Sequence, residues 1–208
     1  MSKKKVKEVT DKSMVSMLPF WQYNEQFEPL QNGRTYVLED RKSEQNSYIP
    51  VKICDENVYM SEPDGKLIPE KIEEQHKCDY LLYCMNQPQA CYIELKGKNI
   101  STKKNYNPYD QIIDTRDYLK KLPEYKSLFT KEVENHAFIV SPEQQKIPRG
   151  IEIKQRKLLS ELTRYQKKPE QAKEYIHYVK VTPSDRYSDK IEKIICSSKN
   201  PLPIPYKM

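Results

Sequence analysis

Three charged residues lie within two apolar segments near the middle of the chain. Asp79 belongs to CDYLLYC, and Glu94 and Lys96 belong to ACYIELK. Both segments have the composition of buried β-strands. Side chains alternate between the two faces of a strand, so Glu94 and Lys96 share one face. Charges in such apolar surroundings cost free energy unless they are paired with each other or bind a ligand such as a metal ion. These residues are therefore candidates for a functional site.

The two segments are predicted to form a β-hairpin that turns at residues 85–88. In that register Cys84 faces Gln89 and, counting back, Asp79 faces Glu94. Directly opposed residues share a face, with Cβ atoms about 4.5–5.5 Å apart. The hairpin would therefore bring the two carboxylates together beside the lysine.

Two ionised carboxylates this close repel each other unless a cation lies between them. Oxygen ligands from Asp79 and Glu94, with the backbone carbonyl of Leu95, suit Mg²⁺, for which Mn²⁺ can substitute. Such a metal can polarise a phosphodiester and activate a water, while Lys96 positions that water or stabilises the transition state. On spacing alone the simpler interpretation is a cross-strand salt bridge from Lys96 to either carboxylate, because E-x-K is a short pattern.

The stretch KCDYLLYC…ACYIELKGKNI, followed by YDQIIDTRDYL, resembles the PD-(D/E)xK nuclease superfamily, which has a restriction-endonuclease-like fold. The resemblance covers residues 70–140 and continues more weakly to 181. It implies that Asp79 and Glu94 bind the catalytic metal, that Lys96 assists hydrolysis and that Gln111 contacts the site. The chain departs from the pattern where Cys78 takes the place of the usual proline, and the segment before Gln111 is longer than usual.

The same family often carries a further acidic residue on a helix before the aspartate strand. Glu74 is the nearest candidate in this sequence. The alternatives are Glu70, Glu73 and, in the aromatic segment near the N-terminus, Glu25.

Basic residues and tyrosines follow the second strand and continue along the next helix. Lysines attract the phosphate backbone of a nucleic acid by charge, and tyrosine hydroxyls can hydrogen-bond to it. An ordinary solvated loop and helix face is the alternative interpretation. The predicted nucleic-acid contacts are Lys98, Lys103, Lys104, Tyr106, Arg116 and Lys120.

The element order predicts an α/β fold, with a mixed central β-sheet flanked by helices and a restriction-endonuclease-like core. One helix is predicted to begin at Pro108 with Asn107 as its cap, and Ile112, Ile113, Leu119 and Leu122 form its apolar stripe. A second helix is predicted over 153–165. Strands are predicted at 34–39, 48–54, 57–60, 78–84, 90–96, 135–140 and 175–181.

Composition divides the chain and excludes several classes of protein. We expect a basic arm (1–16), an aromatic and β-rich extension (17–66) in which 17–30 forms a short helix, a nuclease core (67–182) and a polar, proline-rich tail (183–208). The four glycines are too far apart for a dinucleotide-binding, Walker A or serine-hydrolase motif. The five cysteines contain no CxxC pair and are expected to be reduced thiols.

The expected function is that of a Mg²⁺-dependent endonuclease acting on DNA, with RNA not excluded; the resemblance implies bacterial restriction or anti-phage defence. The net charge of +6 is compatible with a nucleic-acid partner. No secretory signal or membrane-spanning segment is recognised, so we expect a cytoplasmic protein without a membrane partner. A homodimer and an activating protein partner are also compatible with this reading. The alternatives are a catalytically silent module that binds nucleic acid or protein, and an RNase or structure-specific nuclease.

Overall fold

The structure is a computed structural model of the 208-residue chain. It describes residues 26–40, 47–64, 66–69, 76–96, 107–130, 132–141, 176–182 and 193–207, with the backbone alone for 176–182 and 193–195. The helix predicted over 153–165 lies outside the described residues.

Ten strands, one α-helix and one 3-10 helix are present in the described part of the chain. The helices are α1 (Pro108–Lys121) and the 3-10 helix (Pro123–Phe129) that follows it directly. The strands are β1 (Glu28–Leu30), β2 (Thr35–Glu39), β3 (Tyr48–Ile53), β4 (Val58–Ser61), β5 (Tyr80–Cys84), β6 (Gln89–Leu95), β7 (Glu134–Val140), β8 (Ile176–Thr182), β9 (Lys193–Ile195) and β10 (Leu202–Ile204).

Seven of these strands form one mixed sheet in the order β1-β4-β5-β6-β7-β8-β9. The neighbours β1, β4, β5 and β6 pair antiparallel, whereas β6, β7, β8 and β9 run parallel to one another. The prediction of a mixed α/β fold is confirmed. The strand β1 corrects the last part of the helix predicted over 17–30, because residues 28–30 pair with β4 instead. Residues 17–25 of that prediction lie outside the described residues.

A second sheet has the order β10-β3-β2, with β2 antiparallel and β10 parallel to β3. Its buried side chains share an apolar cluster with one face of the large sheet. Helices are predicted to flank the sheet, whereas in the described part of the chain this face packs against the strands of the second sheet. The alternation in YIPVKIC explains the difference, since Ile49, Val51 and Ile53 present one apolar side.

The opposite face of the large sheet packs against α1 and the 3-10 helix. Tyr109, Ile112 and Leu119 of α1 lie in one cluster with Tyr92 and Ile139 of the sheet. The helix begins as predicted, because Asn107 Oδ1 accepts a hydrogen bond from the N–H of Tyr109 at 3.0 Å. Among the described residues no helix is long and apolar enough to cross a membrane.

The predicted hairpin is present with the predicted register. Cys84 pairs with Gln89, and Tyr80 pairs with Ile93, so continuing the ladder by one position places Asp79 opposite Glu94. Ile93 and Leu95 lie in the cluster that faces the second sheet. Glu94 therefore lies on the opposite face, toward α1.

The C-terminal segment packs into the core, although a polar tail was expected there. Leu202, Ile204 and Tyr206 are buried in the cluster between the two sheets. The side chain of Gln89 binds the backbone of Tyr206 twice: its Nε2 donates to the carbonyl at 2.6 Å, and its Oε1 accepts from the N–H at 2.7 Å. Prolines alternate with Leu202, Ile204 and Tyr206 in PLPIPY, so the three apolar side chains lie on one side of this extended segment.

Replacing Gln89 should detach this segment from the sheet. Gln89→Leu removes both bonds and leaves the buried N–H and C=O of Tyr206 without these partners. We expect the free energy of unfolding to fall by about 2–4 kcal/mol, because a buried polar group that loses its partner costs about 1–3 kcal/mol. Chemical denaturation measures this change. The matched control is Gln87→Leu at an exposed position of the same turn, which should change stability by less than about 0.5 kcal/mol.

Candidate active site

Asp79 lies immediately before β5, at the point where this strand meets the end of β6. Its side chain is partly buried, and Oδ2 accepts a hydrogen bond from the backbone N–H of Leu95 at 2.6 Å. This bond ties the carboxylate to the end of the neighbouring strand. The predicted proximity of Asp79 to the E-x-K strand is therefore present in the structure.

Glu94 and Lys96 form an ion pair at the end of β6, between Lys96 Nζ and Glu94 Oε1. The Glu94 side chain is 1% exposed and that of Lys96 is 17% exposed. The second carboxylate oxygen, Glu94 Oε2, is buried and has no hydrogen-bond partner among the described residues. A buried carboxylate oxygen without a partner is costly, so a ligand for it would stabilise the folded chain.

Both acids are held in surroundings that disfavour their charged forms. Burial raises the pKa of Asp79 to about 6, although the N–H of Leu95 and the charge of Lys96 oppose this rise. Burial also raises the pKa of Glu94 well above its usual range; repulsion from Asp79 adds to this effect and Lys96 opposes it. The positive charge of Lys96 therefore does not fully offset the effect of burial on the pKa values of the two carboxyl groups.

The residues present fit a divalent cation. Asp79 and Glu94 offer carboxylate oxygens, the hard ligands that divalent cations prefer. Glu94 Oε2, which has no hydrogen-bond partner among the described residues, is the atom that a cation would bind. No group of three or more His, Cys, Asp or Glu side chains suited to a metal occurs within the described residues. The candidate acids Glu74, Glu70, Glu73 and Glu25 all lie outside that part of the chain.

Helix α1 fixes the segment that leads into Asp79. Thr115 Oγ1 accepts a hydrogen bond from the N–H of Cys78 at 2.8 Å and donates to the carbonyl of Gln111 at 2.7 Å. Gln111 Nε2 donates to the carbonyl of Lys77 at 3.2 Å. Gln111 therefore lies beside the start of β5. Its Oε1 is buried and has no partner among the described residues.

The Thr115 contact gives a test of this support. Thr115→Val keeps the shape of the side chain but leaves the buried N–H of Cys78 without its acceptor. We expect the free energy of unfolding to fall by about 1–3 kcal/mol, because the buried donor loses its hydrogen bond. Thr115→Ser keeps the hydroxyl and is the control. Equal stability of the valine and serine variants in urea unfolding would contradict the role given to this bond.

The predicted nucleic-acid contacts lie mainly outside the described residues. This applies to Lys98, Lys103, Lys104 and Tyr106. Lys120 is exposed near the end of α1, as a phosphate contact requires. Arg116 has a side chain only 17% exposed; its Nη1 lies 3.5 Å from Asp117 Oδ1, and its guanidinium lies 5.9 Å from the ring centre of Phe129. Its packing gives Arg116 a role within the fold, and its contact with nucleic acid stays a prediction.

Two acids near the site were missed by the sequence analysis. Asp40 and Asp64 both contribute to the raised pKa of Asp79, after the larger effect of burial. Asp40 follows β2, and the carbonyl of its neighbour Glu39 accepts from the Tyr80 hydroxyl at 2.7 Å. Asp64 lies 3.6 Å from Lys77 Nζ. Neither acid lies in an apolar strand, so hydrophobic patterning gave no signal for them.

Comparison of the chain with protein-family models, with curated proteins and with solved structures found no match. Functional inference therefore depends on the geometry of the site itself.

Proposed function

We propose that the chain is a metal-dependent nuclease that hydrolyses phosphodiester bonds in DNA, with Mg²⁺ as its cofactor and Mn²⁺ as a substitute. The observation that carries the proposal is the buried Glu94 beside Asp79, whose Oε2 has no partner among the described residues. Two carboxylates and a lysine at one end of a strand pair match the chemical needs of phosphodiester hydrolysis. The resemblance to PD-(D/E)xK nucleases supports the same reading.

In the proposed mechanism Asp79 and Glu94 hold the cation through their carboxylate oxygens. When bound, it would supply positive charge to the phosphate and lower the pKa of a water. The N–H of Leu95 keeps Asp79 oriented; a role for the Leu95 carbonyl as a ligand stays a prediction.

Lys96 is the residue that can reach the substrate. Its side chain is more exposed than that of Glu94, so its ammonium group can donate hydrogen bonds at the mouth of the site. There it would orient the attacking water or stabilise negative charge that develops on the phosphate oxygens. Gln111 would hold the start of β5, and Lys120 would contact the phosphate backbone, together with the lysines predicted after β6.

A substrate panel tests this function. Purified protein is incubated with supercoiled plasmid, linear DNA and RNA in Mg²⁺, in Mn²⁺ and in EDTA. We expect cleavage of DNA that requires the metal and is lost in Asp79→Asn. Cleavage of RNA alone would reassign the substrate. Cleavage that persists in EDTA or in Asp79→Asn would contradict the proposed site.

The second candidate is a catalytically silent binding module. The ion pair between Lys96 and Glu94 favours it, since a lysine already occupies one oxygen of the glutamate. A module of this kind would bind nucleic acid or protein without metal and without cleavage. Retention of DNA by the metal-free protein, with no metal binding, would support this candidate over the nuclease.

A further inference from the structure

The strand β2 lies at one edge of the second sheet in the described part of the chain. It pairs with β3 on one side, in a register that sets Val37 opposite Pro50. Val37 is 53% exposed, the highest value among the exposed large apolar side chains of the described residues. An edge strand with an exposed apolar centre can pair with a further strand.

The hydrogen bonds to β3 show which backbone groups of β2 point outward. The backbone N–H of Asp40 donates to the carbonyl of Ser47 at 3.0 Å, and the backbone N–H of Ile53 donates to the carbonyl of Arg34 at 2.9 Å. Hydrogen-bonded and non-hydrogen-bonded pairs alternate in an antiparallel ladder, so the backbone groups of Thr35, Val37 and Glu39 point away from β3. The Glu39 carbonyl also points outward, where it accepts from the Tyr80 hydroxyl at 2.7 Å, so a further strand would share this acceptor with Tyr80.

The charges at the two ends of β2 are opposite and equally spaced from its centre. Arg34 lies three positions before Val37, and Asp40 lies three positions after it. If two copies of β2 pair antiparallel about Val37, each Arg34 faces the partner's Asp40. Opposite charges directly across a strand pair stabilise it, and like charges destabilise it.

We propose that two copies of this chain form a symmetric dimer by antiparallel pairing of their β2 strands about Val37. Val37 would face the partner's Val37, so two exposed apolar side chains would cover each other. Each Arg34 would pair with Asp40 of the partner subunit. This inference uses no metal and no substrate, so it stands or falls independently of the proposed function.

Two charge variants test the proposal. Arg34→Glu places two acids against each other at both ends of the interface, and Asp40→Arg does the same with two bases. Each variant alone should dimerise about 100-fold more weakly than the wild type, because both contacts change from attraction to repulsion. A mixture of the two variants restores opposite charges at both contacts, so it should form a heterodimer.

Sedimentation velocity in metal-free buffer measures these states. A third variant, Val37→Pro, removes an N–H that points away from β3 and fixes the φ angle there. It should also be monomeric, while Val37→Thr keeps that donor and should dimerise. Circular dichroism checks that each variant is folded. A monomeric wild type, dimers of both single charge variants, or a mixture that stays monomeric would each overturn the proposal.

Discussion

Lys96→Met should lower the rate of metal-dependent DNA cleavage by about 10²–10³-fold, because removing one group that stabilises transition-state charge has an effect of this size. Methionine keeps an unbranched apolar stem and removes the ammonium group. Metal affinity should not weaken, since Lys96 occupies Glu94 Oε1 in the structure and its positive charge opposes a bound cation. Single-turnover cleavage at saturating Mg²⁺ measures the rate.

The matched control is Lys121→Met, which removes an exposed lysine at the end of α1. It should leave the single-turnover rate within about twofold, because exposed charges far from the chemistry contribute little. The role of Lys96 in stabilising transition-state charge would be contradicted if both lysine variants retained the wild-type rate of cleavage. It would also be contradicted if Lys96→Met lost activity only because it no longer bound metal.

Glu94→Gln should abolish metal-dependent cleavage while leaving the protein folded. The folded-state pKa of Glu94 lies above its unfolded value because of burial, then because of Asp79. Such an acid stabilises the fold less as the pH rises above its unfolded pKa of about 4.3. At pH 7 the neutral amide removes this penalty, and its oxygen can still accept a hydrogen bond from Lys96.

We therefore expect the metal-free Glu94→Gln variant to be at least as stable as the wild type at pH 7. Urea unfolding in EDTA measures this, with Glu124→Gln at an exposed position as the control. If Glu94 served only as the partner of Lys96 in a structural ion pair, Glu94→Gln would lose stability and any cleavage would persist. The two readings of this site therefore predict opposite results for activity and for stability.

The central hairpin and the helix after it could be predicted from local sequence signals. The turn at residues 85–88 set the register, and the period of two put Asp79 and Glu94 on one face. Asn107 and Pro108 marked the start of α1 because the capping side chain and the fixed proline angle act locally. These features depend on neighbouring residues, so the sequence contained the information needed.

Long-range packing could not be predicted in the same way. Nothing near Gln89 in the sequence indicates that its side chain binds the backbone of Tyr206. The acids Asp40 and Asp64 approach Asp79 only through the folding of separate segments. The second sheet joins β3 to β10 from the far end of the chain, so its contribution to the core was not visible in local patterns.

The measurement that tests the central claim most directly is calorimetric titration of the metal-free protein with Mn²⁺ and with Mg²⁺. We expect saturable binding to the wild type and to Glu124→Gln, and no saturable binding to Glu94→Gln, which lacks one of the two carboxylates. Binding should also raise the melting temperature of the wild type, because the ligand stabilises only the folded state. A wild type that binds neither metal, or a Glu94→Gln variant that binds as tightly as the wild type, would contradict the assignment of Asp79 and Glu94 as a metal site.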